Sequence, residues 1–174
     1  DRPNSVTSIG NEAFSGCSSL ETVSIPDSVT SIGGYAFSRC SSVKTVSIPN
    51  SVTSIGKQAF ESCSAIITLI INTPLVGSIS NGFVQTYFSA SKVKVESVTI
   101  GDSVTSIGDN AFNDCSSLET VSIGNSVTSI GSNAFKGCSA IITLVINAPL
   151  VGSTSKGFVP TYFLASKVKV ESVT

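Results

Sequence analysis

The sequence predicts an α/β-type repeat solenoid, mostly strand and loop with short helical or 3₁₀ turns, and three observations predict it. The string SVTSIG begins at Ser5, Ser28, Ser51, Ser103 and Ser126, so it recurs every 23 residues with one gap of 52. A second pattern, apolar-x-x-apolar-x-apolar, begins at Leu20, Val43, Ile66, Val95, Leu118, Ile141 and Val170, at spacings of 23, 23, 29, 23, 23 and 29. Its last two apolar positions alternate and are rich in β-branched residues, as in a half-buried strand. A unit this short cannot bury its own apolar face and does so by stacking on its neighbours.

Each short unit reads SVTSIGxxAFxxCSxxxxxxxIxx. In its first part Val6 and Ile9 lie three apart and Gly10 follows, which fits a bent or very short extended segment ending in a turn. Ala13-Phe14 followed by Cys17 puts Phe and Cys on one face of a single helical or 3₁₀ turn. Leu20, Val23 and Ile25 then form a short strand, and the three sides close one coil. Residues 1–174 are one domain of seven coils, two 75-residue super-repeats plus one coil. Ser51 to Thr99 and Ser126 to Thr174 are identical at 39 of 49 positions, which points to duplication of the larger unit.

Stacking turns equivalent positions into ladders. Phe14, Phe37, Phe60, Phe83, Phe112, Phe135 and Phe158 are expected in one column. Cys17, Cys40, Cys63, Cys115 and Cys138 form another, with Thr86 and Thr161 taking the place in the long units. The long units replace SVTSIG by PLVGSISNGF from Pro74 and PLVGSTSKGF from Pro149, and add six residues around Tyr87-Phe88 and Tyr162-Phe163.

The run AFxxCSSL, as in Ala13 to Leu20 and Ala111 to Leu118, embedded in SIPDSVTSIG-like sequence, resembles the leucine-rich repeats of the BspA-like or Treponema pallidum type over the whole chain. The resemblance implies a curved right-handed coil with a parallel β-sheet on its concave face. It also implies an extracellular or cell-surface setting and a role in adhesion. Several expected Leu positions are Val or Ile here, and the two 29-residue units depart from the pattern.

Composition narrows the function. The chain is 41% hydrophobic and 12% charged, and 34 Ser with 16 Thr make it rich in small hydroxyls. With no His, imidazole acid/base catalysis and the commonest metal ligand are absent, and a lone Ser or Cys without a base is a poor nucleophile. The expectation is therefore no enzyme, no cofactor and no metal. A net charge of -1 lacks the basic field that attracts nucleic acid, and no apolar run approaches the ~20 residues that insert into a membrane. A soluble protein is expected. Without Met the chain reads as a processed product or an excerpt. Five cysteines, an odd number in parallel ladders with no CxxC pair, read as buried free thiols before bridges or metal ligands.

Recognition then falls to surfaces. The strand positions that point out of the sheet are Thr22 and Ser24, Thr45 and Ser47, Thr68 and Ile70, Ser97 and Thr99, Thr120 and Ser122, Thr143 and Val145. Such an array could contact a protein or glycan ligand, or order water, while Thr and Ser also simply suit an exposed strand. Tyr87 and Tyr162, beside Phe88, Phe163 and nearby lysines, are the second candidate surface, with plugging of the core as the duller alternative. The rival to recognition is a structural module. Five short and two long units span 173 residues, so Thr174 repeats the phase of Asp1, and neither end shows a polar capping repeat. The chain is therefore expected to continue in a parent protein or to self-associate end to end as a filament, stalk or spacer.

Overall fold

A computed structural model describes residues 6–78, 82–88, 94–147 and 169–173. In chain order the strands are β1 (Ser8–Ile9), β2 (Thr22–Ser24), β3 (Ser31–Ile32), β4 (Thr45–Ile48), β5 (Ser54–Ile55), β6 (Thr68–Ile71), β7 (Ser97–Ile100), β8 (Ser106–Ile107), β9 (Thr120–Ile123), β10 (Ser129–Ile130), β11 (Thr143–Ile146) and β12 (Lys169–Val173). One strand from each repeat joins a seven-stranded sheet whose spatial order follows the chain, β2 through β12 by way of β4, β6, β7, β9 and β11. Every pairing in it is parallel. The SVTSIG segments give the second side, as two short parallel sheets, β1-β3-β5 and β8-β10. This is a β-solenoid of parallel coils, the architecture that the repeats predict.

The 23-residue register is kept residue by residue: Ser8 faces Ser31, Ser31 faces Ser54, and Thr22 faces Thr45. Period 2 sends Val46, Leu69, Val98, Val121 and Leu144 inward, with Ile48, Ile71, Ile100, Ile123 and Ile146 beside them, all fully or almost fully buried. The SIG glycines are fixed by close approach. A Cβ built on Gly56 would overlap the Gly33 and Gly34 backbone of the preceding coil.

The third side keeps the turn bonding of the expected helical or 3₁₀ turn without its continuous helical backbone. Its i→i−3 bonds are present, as in Cys17 N–H to the Phe14 carbonyl at 3.2 Å and Cys40 N–H to the Phe37 carbonyl at 3.2 Å. Two left-handed residues in each short coil stop these turns from running on as a helix. One is the second residue after SIG, at Glu12, Tyr35, Gln58, Asn110 and Asn133, with φ between 54° and 56°. The other precedes Cys, at Gly16, Arg39, Ser62, Asp114 and Gly137. Alternate backbone amides therefore turn out of the coil toward the next one. Glu12, Phe14 and Gly16 N–H donate to the carbonyls of Gly34, Ala36 and Ser38 at 3.0, 2.7 and 2.7 Å.

Phe37 stacks between Phe14 and Phe60, with ring centroids 5.2 Å apart on each side and planes within 9° of parallel. The column then departs from expectation. Phe60 stacks on Phe88 at 4.8 Å, and Phe83 lies tilted behind Phe88 at 6.1 Å. The long unit carries a 3₁₀ turn, Pro74–Gly77, and one short helix, α1 (Phe83–Phe88), so matching by the Gly-Phe dipeptide selected the wrong ring. Thr86 is also misplaced by that alignment. It sits inside α1, its hydroxyl donating to the Gly82 carbonyl at 2.7 Å, and not in the cysteine column. The expected places of Phe158, Thr161 and Phe163 lie outside the described residues.

All five cysteines are free thiols, buried except Cys17 in the first described coil. Cys40, Cys63 and Cys138 donate to the carbonyls of Phe14, Phe37 and Phe112 in the preceding coil at 3.0 to 3.1 Å. Burial pushes the Cys40 thiol up and the Cys63 thiol up to about 12, while Cys115 is raised first by its hydrogen bond with Cys138 and then by burial. Cys40, Cys63 and Cys138 are thus packing groups that also carry a directed donor.

Candidate functional site

The outward side of the long sheet holds two columns in strict register. Thr22, Thr45, Thr68, Ser97, Thr120 and Thr143 form the first; Ser24, Ser47, Ile70, Thr99, Ser122 and Val145 form the second. Strands lie about 4.8 Å apart, and residues two apart on a strand are separated by roughly 6.7 Å, so the hydroxyls form a regular lattice. Thr22 and Ser24 are exposed and the other members half-buried by one another. The sequence-selected strand residues are thus brought onto one face. Val145 and Ile70 interrupt it as apolar members.

The hydroxyls of this face are chemically free. Among the described residues none of them is used in a hydrogen bond within the protein. On the second side the equivalent chemistry is consumed: Thr30, Thr53 and Thr128 hydroxyls each donate to a carbonyl of the preceding coil, at 3.2, 3.3 and 3.1 Å. A Ser or Thr hydroxyl can both donate and accept, so the open face can match either kind of ligand group.

Tyr87 is placed differently from the strand residues. It is 6% exposed, packs edge-on against Phe83 with centroids 5.2 Å apart, and burial raises its hydroxyl pKa. Its ring fills the core under α1 and offers a ligand no stacking surface. Tyr162 lies outside the described residues.

Two features of the surface escape a reading based on the strand positions alone. Tyr35 is 38% exposed and its hydroxyl donates to Gln58 Oε1 at 2.6 Å on the third side. Ile67 and Ile142 are 38% and 54% exposed at the entry to β6 and β11. They belong to a rim column, Glu21, Lys44, Ile67, Glu96, Glu119 and Ile142, in which each backbone N–H donates to the carbonyl of the residue before it in that list, at 2.8 to 3.2 Å. Aligning the residue before the first strand Thr in every unit would have exposed this column in the sequence.

Among the described residues no group of three His, Cys, Asp or Glu side chains lies close enough to hold a metal ion. No helix there is long and apolar enough to cross a membrane.

Comparison with solved structures finds leucine-rich repeat proteins. A T. pallidum leucine-rich repeat protein is 26% identical, with 80% of this chain and 52% of that chain covered at a TM-score of 0.42. A leucine-rich cell surface protein of Faecalibacterium prausnitzii is 23% identical over 98% of this chain and 59% of its own, also at 0.42. A leucine-rich repeat protein of Bacteroides ovatus is 25% identical over 98% and 54%, at 0.38. The chain thus spans a little over half the length of these proteins. No curated protein sequence matches it. The family description that fits is the BspA type leucine rich repeat region, in six copies over residues 1–87 and 83–159. With that match across nearly every coil, the chain belongs to the BspA-type leucine-rich repeat family.

Proposed function

We propose that this chain is a non-enzymatic recognition segment of a surface or secreted repeat protein, and that it binds a protein ligand through the outward face of its long sheet. The observation that carries this reading is the contrast in hydroxyl use: second-side threonines are tied to the neighbouring coil, whereas the outward columns are left open. Protein is favoured over glycan because the strand columns contain no aromatic ring, the usual platform for a sugar face. Each hydroxyl contact is weak, so affinity comes from many coils acting together.

The test replaces Thr45, Ser47, Thr120 and Ser122 together by Lys and measures binding to cultured cells, to an array of extracellular proteins and to a glycan array. Binding to cells and to the protein array should disappear, with the urea midpoint nearly unchanged. Binding that survives the four substitutions would move the site off the sheet. Binding confined to the glycan array would replace the protein ligand by a sugar.

The alternative, end-to-end assembly into a filament or spacer, draws on one feature of the isolated chain. Val6, Ile9, Phe14, Leu20 and Phe37 line an apolar groove of about 260 Å³ at the first described coil, and Phe14 is 44% exposed. Stacking of a second copy there would bury it. Light scattering that rises with concentration, together with filaments in negative-stain images, would favour that reading.

A further inference from the structure

The rim column carries a pattern that the hydroxyl columns beside it do not. From Ile67 to Ile142 it reads apolar, acidic, acidic, apolar, one residue per strand, held by the bonds Glu96 N–H to the Ile67 carbonyl, Glu119 N–H to the Glu96 carbonyl and Ile142 N–H to the Glu119 carbonyl. The two exposed isoleucines are therefore three strand spacings apart, about 14 Å. Each is widened by a half-buried apolar residue on the same strand, Ile70 on β6 and Val145 on β11. Between them the exposed carboxylates of Glu96 and Glu119 lie one strand apart, and among the described residues the column's single cation, Lys44, is on the far side of Ile67.

We propose that this track binds an extended peptide segment laid across the strands, with the pattern apolar-x-basic-x-apolar; the proposal rests on the recognition role of the face. An extended chain advances about 3.4 Å per residue and shows residues i, i+2 and i+4 on one side. Residues i and i+4 are then about 14 Å apart, the separation of the two isoleucines. Residue i+2 falls midway, between the two carboxylates, where Lys or Arg relieves their mutual repulsion. The peptide's backbone groups run beside the hydroxyls of Thr68, Ser97, Thr120 and Thr143, which can donate to its carbonyls and accept from its amides. A second copy of this chain is a poor occupant. Docked face to face about a two-fold axis midway between the isoleucines, it would set carboxylates against carboxylates.

The test pans a phage-displayed random heptapeptide library against the full 174-residue chain, since multivalent display captures weak single-site binding. Enrichment of apolar-x-Lys/Arg-x-apolar is expected. In the variant Glu96→Lys with Glu119→Lys, the selected peptides should bind on the order of tenfold less and a fresh selection should move to Asp or Glu at the centre. In Ile67→Ser with Ile142→Ser, capture of both peptide sets should be lost while circular dichroism is unchanged. No enrichment, anchors at a spacing other than four, or peptides indifferent to both variants would overturn the proposal. If peptides of another pattern are enriched and are lost on the four-fold Lys variant of the hydroxyl columns, the sheet still recognises ligands and only this ligand class is wrong. If they bind that variant unchanged, the wider reading fails as well.

Discussion

The short coils and the long coil join their neighbours with different backbone. A short coil must offer three N–H groups to the coil after it, three carbonyls to the coil before it, and one ring to the column. Phe37 and its neighbours do all three from one set of turns. The long coil divides the work between the two ends of α1. Toward the preceding coil, Thr86 and Tyr87 carbonyls accept from Gln58 and Phe60 N–H at 3.1 and 2.9 Å, and Phe88 supplies the ring. Toward the following coil, Val84 N–H donates to the Ala111 carbonyl at 3.0 Å.

Val84 and Phe88, which serve the two neighbouring coils, are four residues apart in α1, about 6 Å along a helix axis and near the 5.2 Å between stacked rings. The end groups that a helix cannot bond to itself are the ones the neighbouring coils need. A solenoid therefore constrains the rows at each interface far more than the path of chain between them, which is why a six-residue insertion is tolerated.

The shared role of the two kinds of coil is tested most directly at the ring column. Phe60→Ala and Phe88→Ala should each cost about 3 to 5 kcal/mol in urea unfolding, the range for emptying a large core site. A cost for Phe88→Ala below ~1 kcal/mol would show that α1 is not part of the stack. Next is the entry to the long coil, where buried Thr73 donates its hydroxyl to the Val52 carbonyl at 2.6 Å and accepts from Leu75 N–H at 3.2 Å. Thr73→Val should cost about 1 to 3 kcal/mol, because it orphans both groups.

Smaller effects sharpen the description of the short coils. Arg39, with φ of 60°, stands where Gly16 and Gly137 occur in other coils. Arg39→Gly should be neutral or stabilise by up to ~1 kcal/mol, and Gly137→Arg should destabilise by about 1 kcal/mol. Equal effects of both in thermal melts would remove the case for left-handed strain there. The smallest effect is in pH dependence. Burial raises the Cys63 pKa to about 12, so the folded state holds the proton more tightly than the unfolded chain. Stability from this group is full below about pH 9 and declines from there toward pH 12. The urea midpoint should fall between pH 8 and pH 10, and Cys63→Ala should flatten that fall.

Register, strand positions and the outward hydroxyl columns were legible because they repeat, and a parallel solenoid converts sequence period into spatial adjacency. The column Thr22 to Thr143 could be written from spacing alone. The left-handed turns were hidden, since Glu12, Tyr35, Gln58, Arg39 and Ser62 are not residues that advertise positive φ; only Gly16, Gly137, Asn110, Asn133 and Asp114 do. The ring assignment failed for a related reason. Phe83 and Phe88 both fit the apolar pattern, and only the end groups of α1 decide that Phe88 stacks on Phe60. Ile67 and Ile142 were overlooked because they lie one residue outside the alternating strand pattern, at the rim.

The one-way bonding of the third side has an electrical consequence. Asn110, Phe112 and Asp114 N–H donate to the carbonyls of Ser132, Ala134 and Lys136, in the same sense as the bonds of the first coils, and α1 is aligned with them. Peptide dipoles on this side therefore add from coil to coil, as they do along a helix axis, whereas the alternating bonds of a parallel sheet largely cancel. The stack is a polar rod, with its positive end toward later coils and its negative end toward earlier ones. Lengthening a protein of this family by further repeats extends the polarised column, so that an anion is favoured where the N–H rows open and a cation where the carbonyl rows open.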